Sequence, residues 1–380
     1  MRGRIVKRSP GSWTIVLDGT PDPVTGQRRQ VSRSVRGPKR EAERVLVELL
    51  NQRDRGAGIH PERLTVGDFL RDWAAGLDLR VRPSTAVRYR QIVVTHLLPQ
   101  LGAVRLSRLS ATQVNTLLAD RLTAGCAPRT VAHIRAVLRT ALNDAVRADL
   151  LGRNVATLAT PPHVPSRPVA PMGPAEAMAI LTATAPTRLG PIVATALYTG
   201  LRQGEVLGLQ WADLDLDGGQ CRVTVALQRI NGQLQLVEPK SATSRRTVPL
   251  APPLVPILRA HRTAQIEAQL RAGPAWTELL SGLVFTTALG RPLQGTVITR
   301  EFHAACAAAG LPPRPFHHLR HGCATLLLAS GVDLKTVSAV LGHSTISLTA
   351  NTYAAVLPSL AAGAMTRLGA LLTAAGSPAP

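Results

Sequence analysis

Aromatic residues make up only 3% of this 380-residue chain, with 4 Trp, 3 Tyr and 4 Phe. A protein that follows a single nucleic-acid strand stacks successive bases on aromatic rings, and so few rings exclude a platform of that kind. Cysteine is equally scarce. Cys126, Cys221, Cys306 and Cys323 lie far apart with no C-x-x-C pair, which argues against a disulfide framework or zinc knuckle and makes the cytoplasm the expected compartment. No apolar run approaches the roughly 18 residues of a membrane span. The opening Met1-Arg2-Gly3-Arg4-Ile5-Val6-Lys7-Arg8 is basic and lacks the apolar stretch of a signal peptide. Negative charge is also in short supply, with 23 Asp and Glu against 44 Lys and Arg. Within those 44, lysine is rare: only Lys7, Lys39, Lys240 and Lys335 occur. Where this chain uses lysine, a titratable amine is a candidate for chemistry closed to arginine.

What is present is positive charge. A net charge of +21 and a pI near 11.5 predict adhesion to polyanions through phosphate contacts and counterion release. With stacking platforms excluded, double-stranded DNA is the partner that fits. The length accommodates two or three domains, and a hydrophobic share of 45% supplies their cores.

Residues 1–58 read as a strand-rich module followed by a helix. Ser12–Leu17 and Arg29–Val35 are short β-type runs separated by the turn-rich Asp18-Gly19-Thr20-Pro21-Asp22-Pro23, and Lys39–Leu50 has an amphipathic helical pattern. Arg28, Arg33 and Lys39 contribute to a basic sheet side suited to a DNA groove. From 64 to 158 the text is helical. Val66, Phe69, Leu70 and Trp73 recur at helical spacing, Pro83 opens a second helix, Ser110-Ala111-Thr112-Gln113 is a capping box for a third, and Arg129-Thr130 begins a fourth. Arg90 on the second helix and Arg135 on the fourth are candidate DNA contacts. Residues 159–173 are proline-rich and read as an extended linker. Residues 174–373 form a larger α+β domain, with helical text around a β section made of Cys221–Leu227, Gln233–Val237 and Arg246–Leu250. Asn231-Gly232 between the first two is a hairpin signal. The fold expected is multidomain and mainly α: a three-stranded sheet plus helix, a helical bundle, and a mixed domain.

The chemistry concentrates in two stretches of this last domain. One is Thr199-Gly200-Leu201-Arg202-Gln203-Gly204-Glu205; the other runs from Phe316-His317-His318-Leu319-Arg320-His321 through Leu341-Gly342-His343-Ser344 to Tyr353. Cleaving a phosphodiester without a metal requires fixed cations for the charge gathering on phosphorus, and the guanidinium fork suits that task. Arg202 and Arg320 are the candidates. His317 and His343 are placed to donate hydrogen bonds or relay protons. A tyrosine is able to attack covalently, and Lys240, following a predicted strand, is a candidate general acid for the departing 5′-hydroxyl. His317 and His321 stand at i, i+4, but the glutamate of a His-Glu-x-x-His site and a third ligand are missing, so no metal site is expected.

In order and spacing these residues resemble the tyrosine recombinases, in particular phage and mobile-element integrases with an N-terminal arm-binding domain. The resemblance rests on Thr199 to Asp213 (T-G-L-R-Q-G-E-V-L-G-L-Q-W-A-D), on His317-His318-Leu319-Arg320-His321, and on Leu341-Gly342-His343-Ser344 followed by Tyr353. His318 departs from the pattern, which commonly has aspartate there, and Val206 replaces a commoner leucine. The resemblance implies that Arg202, Lys240, His317, Arg320 and His343 activate the phosphate, that Tyr353 is the nucleophile and that Glu205 supports the site. It further implies site-specific cutting and rejoining of DNA through a 3′-phosphotyrosyl bond, with neither metal nor ATP. The implied assembly is a homotetramer on attachment sites, served by a directionality factor and a host DNA-bending protein in the cytoplasmic nucleoid. The arm-binding role falls to 1–58, core-site binding to the SAM-like bundle at 64–158, and catalysis to 174–373. A type IB topoisomerase-like nicking-closing enzyme and a catalytically silent DNA-binding regulator are the alternatives.

Overall fold

The computed structural model describes residues 3–18, 30–54, 64–165, 171–239 and 245–343, with a few isolated positions beyond. They fall into two compact units divided between Pro165 and Ser166.

The first unit opens with an antiparallel sheet of β1 (Arg4–Ser9), β2 (Ser12–Asp18) and β3 (Gln30–Arg36), in that order. The basic N-terminus thus forms a third strand beside the two runs legible in the sequence. Gly11, at φ 73°, makes the tight β1–β2 turn that a side chain would strain. Helix α1 (Lys39–Asp54) packs Val45 and Leu46 against a small core of Ile15, Ile5 and Val35. Arg33 pairs directly with Ile15, so the strand register puts it on the face that carries this core. Arg4 and Arg36 stand on the opposite face, in register with Val16 and Ser12.

The helical part of this unit comprises α2 (Val66–Ala75), α3 (Pro83–Ile92), α4 (Leu98–Leu101), α5 (Ala111–Thr123) and α6 (Pro128–Arg147), with a π-type turn over Val93–Leu97 joining α3 to α4. Two capping boxes start helices: Thr65 with Asp68 ahead of α2, and the expected Ser110 with Gln113 ahead of α5. Each satisfies amide groups that a helix start leaves open. Val66, Phe69, Leu70 and Trp73 are buried against Val131, Ile134, Leu138 and Leu142 of α6 in one continuous core. Trp73 keeps its indole N–H bonded to Asp144 at 2.7 Å, which removes the cost of burying that donor. Ala159 is buried in the same core and the Thr160 amide donates to Asn115, so the packed chain continues into the first residues of the linker stretch.

The second unit is built around α8 (Leu189–Thr199), which is buried along nearly its whole length. Around it lie α7 (Pro174–Thr184), α10 (Leu254–Ala272), α11 (Gly295–Ala308) and α12 (His318–Ala329), with α13 (Leu334–Leu341) against α12. The short α9 (Gln203–Leu207) precedes the strands β4 (Leu214–Asp215), β5 (Gln220–Val223), β6 (Ala226–Ile230), β7 (Gln233–Val237) and β8 (Arg246–Pro249). The run Cys221–Leu227 is therefore not one strand. Its first half, in β5, pairs with β4 and β8; its second half, in β6, pairs with β7 across the Asn231-Gly232 turn. The break falls at Thr224-Val225, where the Thr224 hydroxyl donates to Asp213 at 2.6 Å. Close packing of α9 fixes the second half. A Cβ on Gly208 would lie 2.6 Å from the Leu227 amide nitrogen, and one on Gly204 2.8 Å from its carbonyl oxygen. Among the described residues no helix is long and apolar enough to cross a membrane.

Candidate active site

Two left-handed corners shape the site. Gly200 ends α8 at φ 65°, ψ 19°, and Gly342 ends α13 at φ 66°, ψ 47°. Both require glycine for conformation, and both are crowded. A Cβ on Gly200 would lie 2.7 Å from Leu341 and 3.2 Å from the Cys323 sulfur; one on Gly342 would meet the Arg246 guanidinium at 2.9 Å. The sequence keeps both corners bare so that α8, α12, α13 and β8 converge.

Arg202 follows the first corner as the residue that caps α9. Glu205, three positions on, accepts from the Arg202 backbone amide at 2.9 Å and from its Nη1 at 2.7 Å. The other Arg202 nitrogen, Nη2, donates to the Gly342 carbonyl at 3.3 Å. The guanidinium is thereby oriented by both corners while its side chain stays 39% exposed, available to an incoming anion. Arg320 is buried to 2% exposure and donates to the Gly200 carbonyl at 2.7 Å. Glu205 is 4% exposed and receives a second arginine, Arg246, at 3.1 Å. Burial alone would push its carboxyl upward, but Arg246 and Arg202 outweigh that and hold it below the usual carboxylate range.

The histidines gather beside these cations. His343 follows Gly342, with its amide bonded to Ser338 at 3.0 Å. Burial, then Arg320, Arg202 and Arg246, depress its imidazole to about 4. His317 stands at the start of α12 and is lowered first by the loss of water around its ring and next by Arg320 and Arg202, although its side chain keeps solvent contact. His321 meets His317 edge to face at 4.9 Å and is depressed to about 4 by burial and then by the neighbouring His317 and His318. His343 and His321 are therefore neutral at pH 7 and add nothing to the crowd of positive charge, while a neutral imidazole keeps one N–H donor. His318 lies beside the Arg314–Glu176 ion pair, and its buried Nδ1 makes no hydrogen bond. Among the described residues no group of three or more His, Cys, Asp or Glu is arranged to hold a metal ion.

Arg202, Arg320, His317, His343 and Glu205 are thus brought together from positions more than a hundred residues apart. Lys240, Tyr353 and Arg28 lie outside the described residues. Of the residues singled out for DNA, Arg33 and Lys39 are exposed. Arg90 is engaged with Asp78 at 2.5 Å and the Ala74 carbonyl at 3.1 Å, and Arg135 donates to the Thr157 carbonyl at 3.2 Å. One residue of the cluster, Arg246, was not singled out from the sequence. The signal for it is its phase with Val248: strand alternation puts both on one face, and Val248 is 1% exposed.

Comparison with known proteins bears on this geometry. Residues 174–359 match the phage integrase family, and residues 65–119 match the N-terminal SAM-like domain of phage integrases. A tyrosine recombinase XerC-like protein of Caldanaerobacter subterraneus subsp. tengcongensis is 32% identical over 351 residues, covering 88% of this chain and 90% of that protein. An integrase of Streptomyces ambofaciens is also 32% identical, over 86% of this chain and 85% of its own length. Among solved structures, the Tn1549 transposon integrase in complex with a circular intermediate DNA superposes with a TM-score of 0.66 at 19% identity, over 80% of this chain and 99% of that one. A lambda integrase tetramer bound to a Holliday junction gives a TM-score of 0.54 at 19% identity, over 90% and 95%. At such identity these two likenesses concern the fold.

Proposed function

The chain belongs to the phage integrase family of tyrosine recombinases, and from that premise we propose how its residues cut and rejoin DNA. The Tyr353 hydroxyl gives up its proton to solvent and its oxygen attacks a backbone phosphorus, forming a phosphotyrosyl bond to the 3′ side as the bond to the 5′ oxygen breaks. Lys240 delivers a proton to that departing oxygen. Arg202 and Arg320 meet the charge on the nonbridging oxygens, and neutral His343 and His317 donate hydrogen bonds to them. Attack by the 5′-hydroxyl of a partner strand reverses the step and releases the tyrosine. The bond energy stays in the covalent intermediate throughout, so the exchange consumes no nucleotide.

The observation that carries this reading is the convergence of Arg202, Arg320 and His343 on the Gly200 and Gly342 corners, with Glu205 behind them. Residues 1–58 are assigned to arm-type sites, 64–158 to the core site and 174–373 to catalysis. The lambda integrase captured as a tetramer on a Holliday junction supports four subunits acting together here. Integration and excision of a phage or mobile element is the biological role proposed, with a directionality factor and a host DNA-bending protein as partners. The test uses DNA from the two ends of the element. Joined products from paired sites, with no relaxation of supercoiled plasmid lacking a site, are expected. Site-independent relaxation would instead identify a topoisomerase-like enzyme, and binding without any strand joining a silent regulator.

A further inference from the structure

Glu205 poses an electrostatic problem for the site. A buried carboxylate 2.7 Å from Arg202 would cancel the charge that Arg202 is to offer a phosphate. The structure contains the remedy. Arg246 enters from the first residue of β8, its side chain only 7% exposed, and donates to the second Glu205 oxygen at 3.1 Å. Its Nε donates to the Val340 carbonyl at 2.6 Å, in the last turn of α13. Gly342 leaves the space its guanidinium fills. One side chain therefore ties the Arg202–Glu205 corner to the end of α13 that precedes His343. With Arg246 present, the two arginines and one carboxylate retain a net positive charge; without it, Arg202 and Glu205 form a neutral pair.

We propose that Arg246 is a positioning residue for strand cleavage, which neutralises Glu205 so that Arg202 keeps its charge for the phosphate and which fixes the Gly342–His343 corner against Arg202. It does not touch the reacting atoms. The proposal rests on the cleavage reading above, and it makes the pair Glu205–Arg246 one electrostatic unit. Arg246→Gln leaves Glu205 free to draw Arg202 into a closed pair, whereas Arg246→Lys preserves the charge and loses the fork that reaches both partners.

The test measures single-turnover cleavage of nicked duplexes carrying the element's end sequences, together with affinity for the same duplex and thermal unfolding. Arg246→Gln is expected to slow cleavage about 100-fold while leaving duplex affinity within about threefold. Arg246→Lys is expected to fall between it and the wild type. The decisive variant is Arg246→Gln combined with Glu205→Gln: removing the uncompensated carboxylate is expected to return at least about tenfold of the lost rate. A merely structural arginine would give the opposite, a double variant slower and less stable than either single one, and that result overturns the proposal. Wild-type cleavage by Arg246→Gln also overturns it. Absence of any adduct with the wild-type protein would instead overturn the cleavage reading itself, and so the two failures are distinct.

Discussion

Arginine does different work at the surface of the helical bundle and in the interior of the second unit. In the helical bundle, Arg71, Arg80, Arg90 and Arg147 form ion pairs with Asp68, Asp78 and Asp144, with arginine side chains 34–75% exposed. Water screens these pairs, two of which lie within a single helix, and they contribute little. In the catalytic unit, Arg246 and Arg320 are nearly buried and bonded to carbonyls across the fold. Their charge is fixed in place before any substrate arrives, and it acts through less water. The lesson is that a charge count such as +21 measures attraction to DNA but not where the reactive charge sits.

The largest expected separation between the regions comes from removing one guanidinium in each. Arg202→Ala should lower the single-turnover cleavage rate about 100- to 1000-fold, with melting changed by only a few degrees. Arg90→Ala should leave the rate per bound complex unchanged. A comparable loss in both would erase the distinction.

Gly342→Ala tests the corner itself. A left-handed φ costs a side chain roughly 1–2 kcal/mol, and the new Cβ would press on Arg246 at 2.9 Å. Cleavage should fall by more than that strain implies for stability, because Arg246 and Arg202 both register on this corner. A proportional loss of the two would make Gly342 an ordinary helix cap.

A smaller effect is expected from pH. His321 and His343 are held at about 4 in the fold against an ordinary imidazole value of 6.5, so between those values the unfolded chain binds more protons. The stability they contribute is complete above pH 6.5 and is lost as the pH falls toward 4. Melting of the protein should drop across that window, and His321→Asn should flatten the slope. DNA binding should draw protons in the same window, since a phosphate favours the charged imidazole; calorimetry in buffers of different ionisation enthalpy measures that uptake.

The smallest effect lies in the bundle. Arg139 is exposed on α6, whereas Arg135 donates to Thr157. Arg139→Ala should reduce the salt dependence of duplex binding by about one counterion, and Arg135→Ala should act mainly through the fold.

The helices of this protein were legible because their signals are local. The Ser110–Gln113 box and the Val66–Trp73 spacing need only neighbouring residues, and both stand as read. The residues that converge on the two glycine corners were legible as sequence motifs at fixed spacing. What escaped depends on partners distant in the chain. Cys221–Leu227 has a continuous β pattern, and only the Thr224–Asp213 bond and the pressure of α9 divide it between two sheets. That exposed Arg33 shares the face of the small core follows only from the strand register, which pairs it with Ile15. Arg246 has no local signal beyond its phase with Val248; its carboxylate partner lies 41 residues away and its carbonyl partner 94.

The most direct test of the account is to locate the covalent bond. Wild-type protein and Tyr353→Phe would be incubated with nicked end-sequence duplexes in EDTA, denatured and digested, and the DNA-linked peptide sequenced by mass spectrometry. The account expects an adduct on Tyr353 and none in the Phe variant. An adduct on Tyr89 or Tyr198, or one that persists in Tyr353→Phe, would contradict it.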